Sequence, residues 1–521
     1  MAAYFETTWP SLPAKKHCHA GGASPGLAIS QAYAASRFMN AVQSRNVLPS
    51  TSPSPPATVI KFNGMSYTSN RPNVTSGPDI RHWGPDNWWQ NTRLPYWPML
   101  EAGDFAEQDV LFDYYLRHVP LLRARTELLF NVSADEAGFW EVETGTVFGS
   151  LSAVDYGICG GQGSPRPKDW PVWLGTNPYV LLDRYGDGPM AELGLMMLDR
   201  WRFDQDDGAL LRRLPWAFGA VDFFAFIFPN RTASGEVVIT PTQACETFWC
   251  PYPFTDARCV TNDAPTVATV TQLLARLLQL PARFSTAAQR AKWASLLAAM
   301  PPLPYDDASG LLLPAERLTG PSANSESVAL YAVHPARLFS VAANLTRPGG
   351  CDLGRAVRTY WADPNAGGSP EGNNGWHQAT MHAPLLGLRN ETAALLLGRV
   401  AVAPLPGYRF PFFSGEDGMN DFPSVEQFSN LQAGAQLALL QAGEDAQSWD
   451  EPGSIVLLPG WPCASTRGAL SALFCAHPKL TLGPQAGNNS RPAHASNPQP
   501  EPRRAGTSPS GSAPPSTPSL L

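Results

Sequence analysis

The densest run of chemistry-bearing side chains is Arg81-His-Trp-Gly-Pro-Asp-Asn-Trp-Trp-Gln-Asn-Thr-Arg-Leu-Pro-Tyr-Trp97. Trp83, Trp88, Trp89 and Trp97 stand there among Asp86, Asn87, Gln90, Asn91 and Arg93. Indole faces stack on the C–H faces of sugar rings, while amides, carboxylates and guanidinium groups bond the hydroxyls. Burying so many polar groups requires partners, and a polyhydroxylated ligand supplies them. A Trp-rich core whose polar groups satisfy one another is the alternative.

A second cluster is Ile239-Thr-Pro-Thr-Gln-Ala-Cys-Glu-Thr-Phe-Trp249. Glu246 is the one acid among apolar and hydroxyl neighbours, a setting that raises a carboxyl pKa and suits a general acid. A third, Ser369-Pro-Glu-Gly-Asn-Asn-Gly-Trp-His-Gln378, offers Glu371, Trp376 and His377 from a Gly-rich loop. A fourth, Gly415-Glu-Asp-Gly-Met-Asn-Asp-Phe-Pro-Ser424, brings Asp421 to the start of a helix, with Ser424 and Gln427 spaced as a capping box. Other chemistries fail on spacing. There is no dinucleotide or phosphate loop and no Gly-x-Ser-x-Gly elbow. His377 and His382 are five apart and share no metal-facing helix position. No metal or cofactor is expected.

The elements that must position these residues are helices. Apolar residues recur at helical spacing over 27–42, 88–101, 104–129, 188–203, 208–228, 264–280, 286–297, 328–343, 351–362, 375–388, 390–403 and 424–442. Asp104 and Ser285 are the expected caps of two of them. Only Thr58–Phe62 and Val237–Thr240 read as strands. Without βαβ alternation the pattern predicts an all-α domain. Twelve helices suit an (α/α)6 toroid of six helical hairpins, with long loops at one face. The alternative, a solenoid, should show a fixed internal repeat, and none is present. The domain is expected over 28–483, after an N-terminal segment 1–27, with a Pro/Ser-rich loop at 47–58. From 484 to 521 the chain has almost no large apolar residues and is expected to be a disordered tail.

Composition narrows the partners. The 521 residues carry 37 basic and 44 acidic side chains, a net charge of -7, with no basic block to neutralise phosphates. Nucleic acid is therefore excluded as a partner. No apolar stretch reaches membrane-spanning length. Eight cysteines are too few to scaffold so large a chain, but Cys245, Cys250 and Cys259 lie close enough for one local bridge. Six Asn-x-Ser/Thr sequons, at Asn73, Asn131, Asn230, Asn344, Asn390 and Asn488, favour the secretory pathway, although the first 27 residues show no leader.

Several segments together resemble the catalytic domain of glycoside hydrolase family 95, within the six-hairpin glycosidases, and more closely its DUF5703-type relatives. They are Ala32–Asn40, Ile60–Gly64, Trp88–Pro98, Thr240–Thr247, Gly375–Gln378, Phe422–Gln432 and Leu457–Pro462, in the family's order over roughly 28–465. The resemblance implies an (α/α)6 toroid and an inverting glycosidase of the α-L-fucosidase type. It implies Glu246 as the general acid and Asn91, the second Asn of an Asn-x-Asn motif, as the activator of water. Trp89 stands at that motif's first position, a departure. Glu371 is the nearest match to the assisting carboxylate. The sugar-contacting set is then Trp83, Trp88, Trp89, Arg93, Trp97, Glu143, Trp376, His377 and Asp421. The family's flanking β domains have no counterpart in this sequence. A carbohydrate-binding protein with an eroded catalytic set is the rival expectation.

Overall fold

The structure is a computed structural model. It describes residues 25–44, 59–62, 86–141, 144–146, 158–159, 164–165, 188–250, 255, 257–366, 377–402, 425–444, 449–450, 453–461 and 479–481. The segment 1–24, the loop 47–58 and the tail from 484 lie outside these residues.

The chain is all-α, and its helices fall into two classes by burial. Helices buried nearly all round belong inside a larger body, whereas one apolar stripe suits an outer layer. The inner set is α2 (Trp97–Ala102), α4 (Pro189–Asp204), α6 (Ala264–Gln279), the 3-10 turn Val328–Ala332 with α8 (Val341–Thr346), α10 (Ala379–Leu385) and α12 (Glu426–Leu439). In α12 every residue from Glu426 to Ala438 is buried, and in α10 all seven are. The outer set is α1 (Pro25–Ser44), α3 (Phe105–Phe130), α5 (Asp207–Ile227), α7 (Ala287–Ala298), α9 (Leu353–Ala362) and α11 (Arg389–Val402). Inner and outer helices alternate along the chain as hairpins. The last inner helix, α12, packs on the first outer helix, α1, and α11 also reaches α1, closing the toroid. One glycine permits the tightest inner contact: a Cβ at Gly434 on α12 would overlap the Thr380 carbonyl oxygen of α10.

Helix boundaries follow local chemistry, with three corrections. The expected 88–101 helix is split into a turn, Trp89–Thr92, and α2, because Pro95 and Pro98 cannot donate to a continuous ladder. Pro335 likewise separates the 3-10 turn from α8. The caps also differ. Asp104 makes no cap bond and instead pairs with Arg37 (Nε to Oδ2, 2.8 Å). Thr286, not Ser285, caps α7 in a capping box with Gln289. Ser424, the expected partner of Gln427 in a capping box, lies outside the described residues; the Gln427 side chain accepts from Arg399, and the N-cap of α12 is Val425. Neither expected strand forms. Val59 to Lys61 lies outside any strand, and Val237 makes one isolated bridge to Arg231. Short antiparallel ribbons occur in the loops instead: β1 (Asp86–Trp88) with β2 (Thr144–Thr146), and β3 (Thr261–Asp263) with β4 (Ala315–Arg317). β1 runs directly into the Trp89 turn and β3 into α6, so both brace the approaches to inner helices. Among the described residues no helix is long and apolar enough to cross a membrane.

Candidate active site

The approaches to the inner helices converge on one buried polar network. Arg93, in the loop before α2, is fully buried. It gives Nη1 to Glu192 (2.8 Å), and Nη2 to the Tyr331 hydroxyl (2.6 Å) and to Glu326 (3.5 Å). Tyr331 in turn donates to Glu326 (2.7 Å), and Gln90 donates to the other Glu326 oxygen (3.1 Å). Glu192, in the first turn of α4, also accepts from the indole N–H groups of Trp89 (3.2 Å) and Trp97 (2.6 Å). Burial pushes the Glu192 pKa up, and the Arg93 charge opposes it. With its amide oriented to satisfy both ends, Gln378 at the N-cap of α10 accepts from Arg93 (3.2 Å) and donates to the His334 carbonyl (2.8 Å).

These contacts correct three expectations. Trp89, Arg93 and Trp97 are 0%, 0% and 7% exposed, and their polar atoms are engaged with Glu192 and its neighbours. Trp89 stands edge-on to Tyr115 and Trp97 edge-on to His334. All three belong to the buried frame around Glu192. Trp88, on β1, is half-buried and closer to the role expected of it.

Asn91 is paired with a carboxylate that sequence reasoning did not assign. Its Nδ2 donates to Glu426, the first residue of α12, which is fully buried. Arg399 lies near Glu426 and donates to Gln427, to the His377 carbonyl (2.9 Å) and to Thr380 (3.2 Å). Burial drags the Arg399 pKa down to about 9, while Glu426 holds it up.

Glu246 sits in a 3-10 turn, Cys245–Thr247. Ala244 and Phe248 exchange both backbone bonds (3.1 and 3.2 Å), which makes Glu246 the middle of a closed three-residue loop. Cys245 enters it at φ 51, a left-handed conformation rare for a residue with a Cβ and frequent at functional sites. Beyond the loop Cys250 and Cys259 form the local disulfide, and Cys245 is fully buried. Beneath it Asp263 accepts from Thr242 (3.0 Å) and caps α6 through the Thr266 N–H (2.8 Å). Its burial raises its pKa to about 6.

One strap joins these parts. Asn324 donates to Glu246 Oε2 (3.2 Å), Ser325 Oγ meets His377 Nε2 (2.9 Å), and Glu326 takes Gln90, Arg93 and Tyr331. Three successive residues thus each hold a different predicted motif. The Ala323 N–H also bonds the Thr247 carbonyl (2.8 Å). Burial, helped by Arg399, lowers the His377 pKa to about 4, so its ring is neutral near pH 7. The strap borders a cavity of about 420 Å³ running from Thr247 and Phe248 to Asp363 and Asn365, a volume within the range of small-ligand sites.

Of the remaining predicted residues, Trp83, Glu143, Glu371, Trp376 and Asp421 lie outside the described residues. The missed ones are Glu192, Asn324, Glu326 and Glu426. Glu192 had a signal, an acid inside the apolar run Pro189-Met-Ala-Glu-Leu-Gly-Leu-Met-Met-Leu198. The strap had none, since Ser322-Ala-Asn-Ser-Glu-Ser327 reads as an ordinary polar loop.

No protein-family profile matches the chain, and no curated protein sequence does. Solved structures do. One glycosidase variant is 13% identical with a TM-score of 0.44, covering 78% of this chain and 97% of its own. A second, in complex with glucose, is 12% identical at the same score and coverages, and a third is 14% identical at 0.43. At these identities and scores the similarity to glycosidases fixes no residue's role in this chain.

Proposed function

We propose that this protein is a glycoside hydrolase of the α-L-fucosidase type, acting by inversion on an oligosaccharide, with Glu246 as general acid. The observation that carries the reading is the placement of Glu246: a half-buried carboxyl in a closed loop, one oxygen held by Asn324, beside a cavity with an apolar and a polar side. Asn324 fixes the orientation of the carboxyl through Oε2, and the carboxyl supplies the transferable proton. Asn91 activates the water. Its Nδ2 is given to Glu426, which leaves Oδ1 to accept a water proton. The C1–O bond breaks as Glu246 protonates the departing oxygen. Water adds to C1 from the opposite face with Asn91 Oδ1 accepting its hydrogen bond; it keeps one proton as the new C1 hydroxyl and yields the other to the carboxylate of Glu426 or Glu371. Inversion requires those two groups on opposite faces with room for water between. Glu426 supplements Glu371, which is retained as an assisting carboxylate.

The test is a screen of nitrophenyl glycosides of fucose, galactose, arabinose and rhamnose, followed by Glu246→Gln. Turnover should fall about 10²–10⁴-fold in the variant, and NMR should show the product anomer inverted. Unchanged turnover in Glu246→Gln would sink the assignment. The second reading, a carbohydrate-binding protein on this scaffold, is favoured by Trp89, which stands where the resembling family has Asn and is wholly buried. It predicts sugar binding with no turnover of any glycoside.

A further inference from the structure

The general-acid role assigned to Glu246 fixes where the departing group must sit. An acid must lie within hydrogen-bond reach of the oxygen it protonates, so the leaving group occupies space adjoining the Glu246 loop. The 420 Å³ cavity adjoins that loop through Thr247 and Phe248 and, across the strap, through Asn324, whose amide holds the Glu246 carboxyl. We propose that this cavity is the leaving-group subsite, and that it takes an uncharged or amine-bearing group with one apolar face while rejecting an acidic one. Its walls have two characters. Phe248, Leu312 and Val328 supply an apolar side, against which the C–H face of a ring can lie. Asn324, Glu326 and Asp363 supply the polar side.

Charge sets the preference. Among the described lining residues the only charged ones are Glu326 and Asp363, with no Lys or Arg. The Glu326 charge is met by Arg93 behind it, leaving Asp363 as the carboxylate that a ligand meets. Asp363 follows directly from α9 and is held by the Asn365 N–H (2.8 Å) and by the Ser327 hydroxyl, against a burial that raises its pKa. Two carboxylates brought together in so confined a space repel by Coulomb's law, whereas ligand hydroxyls or an ammonium can donate to Asp363.

The inference rests on the hydrolase reading, and a paired-substrate experiment separates the two. The probes are the 4-(methoxycarbonyl)phenyl glycoside of the sugar best cleaved in the screen and its free acid, the 4-carboxyphenyl glycoside. Both kcat/KM and calorimetric Kd are measured on the full chain and on Asp363→Asn. The neutral member should bind at least about tenfold tighter than the acid, and Asp363→Asn should narrow the gap. That ratio of ratios cancels the intrinsic difference in leaving-group ability. Equal binding of both members by the parent chain, or a gap that folded Asp363→Asn leaves unchanged, overturns the subsite. Calorimetry reads these outcomes without turnover. Loss of the hydrolase reading appears separately, as absent turnover alongside an intact binding preference on the fucoside pair; the pocket's preference then stands and its leaving-group role falls.

Discussion

Arg93 and Glu192 show how a residue's type can be legible while its task is not. An Arg among tryptophans matches a sugar site and a buried ion pair equally well. The structure decides for the pair, because Glu192 comes from α4, about a hundred positions along the chain, and arrives with both its oxygens already assigned. Removing it should be costly. Glu192→Ala leaves the Arg93 charge to its longer contact with Glu326 (3.5 Å) and leaves two indole N–H groups unpaired in a dry interior, which predicts a loss of about 3–5 kcal/mol. Urea unfolding of the variant checks this, and a loss under about 1 kcal/mol would contradict the buried network. Asn91 makes the same point from the other side. Its role as water activator was read from a motif, but its carboxylate partner, Glu426, was visible only as one acid in Phe422-Pro-Ser-Val-Glu-Gln427.

At the scale of elements, periodicity located nearly all the helices, because each buries a stripe or its whole surface against neighbours. It could not separate inner from outer members. That distinction depends on what covers the second face of a helix, which its own sequence reports only as extra apolar content. Ser, Asn and Gln residues on α12 interrupt the apolar signal, yet all are buried there: Ser429 donates back along its own helix to the Val425 carbonyl (2.8 Å), and Asn430 donates to the His377 carbonyl (3.3 Å). The closest approach between inner helices gives a prediction at this scale. Gly434→Ala must push α12 from α10 at Thr380, so it should destabilise by about 1–3 kcal/mol, as overpacking does. It should also lower activity, since α10 and α12 carry Gln378 and Glu426. An unchanged or raised melting temperature in Gly434→Ala would remove the steric reading, because helix propensity by itself favours Ala over Gly.

For the whole molecule the pH response follows from its buried histidines. His377 and His382 have pKa values lowered to about 4 and about 3, and His334 is lowered too, in each case first by burial. A folded pKa below the unfolded value near 6.5 gives stability that is present above pH 6.5 and lost as pH falls towards the folded value. Asp263, with its pKa raised to about 6, has the opposite sign: its contribution is largest below about 4 and lost as pH rises to 6. The histidines win by number and by the width of their windows. At pH 4.5 His377 and His382 should each have forfeited about 2–3 kcal/mol, and His334 adds in the same direction. Denaturant midpoints measured at pH 7.5 and 4.5 should therefore fall steeply on acidification; a flat response would show the rings to be solvated. A second whole-molecule prediction concerns modification. Asn131, Asn230, Asn344 and Asn390 are all exposed, and the Cys250–Cys259 bridge fits an oxidising compartment. Protein from a eukaryotic secretory host should gain mobility on treatment with an N-glycan amidase, and no shift would rule out glycans at these four sites.

What the sequence by itself determined is the all-α class, the helix positions, the local disulfide candidate and the three motifs that the strap joins. All of these rest on short-range physics: periodic burial, the geometry of proline, and cysteines nine residues apart. What only the tertiary structure decided is which polar groups face one another. Folding brings groups 52 to 335 positions apart to one place, so that Asn324 meets Glu246, Ser325 meets His377 and Glu426 meets Asn91. A buried hydrogen bond depends on distance in space, and no local pattern of residue types encodes a partner 335 positions away.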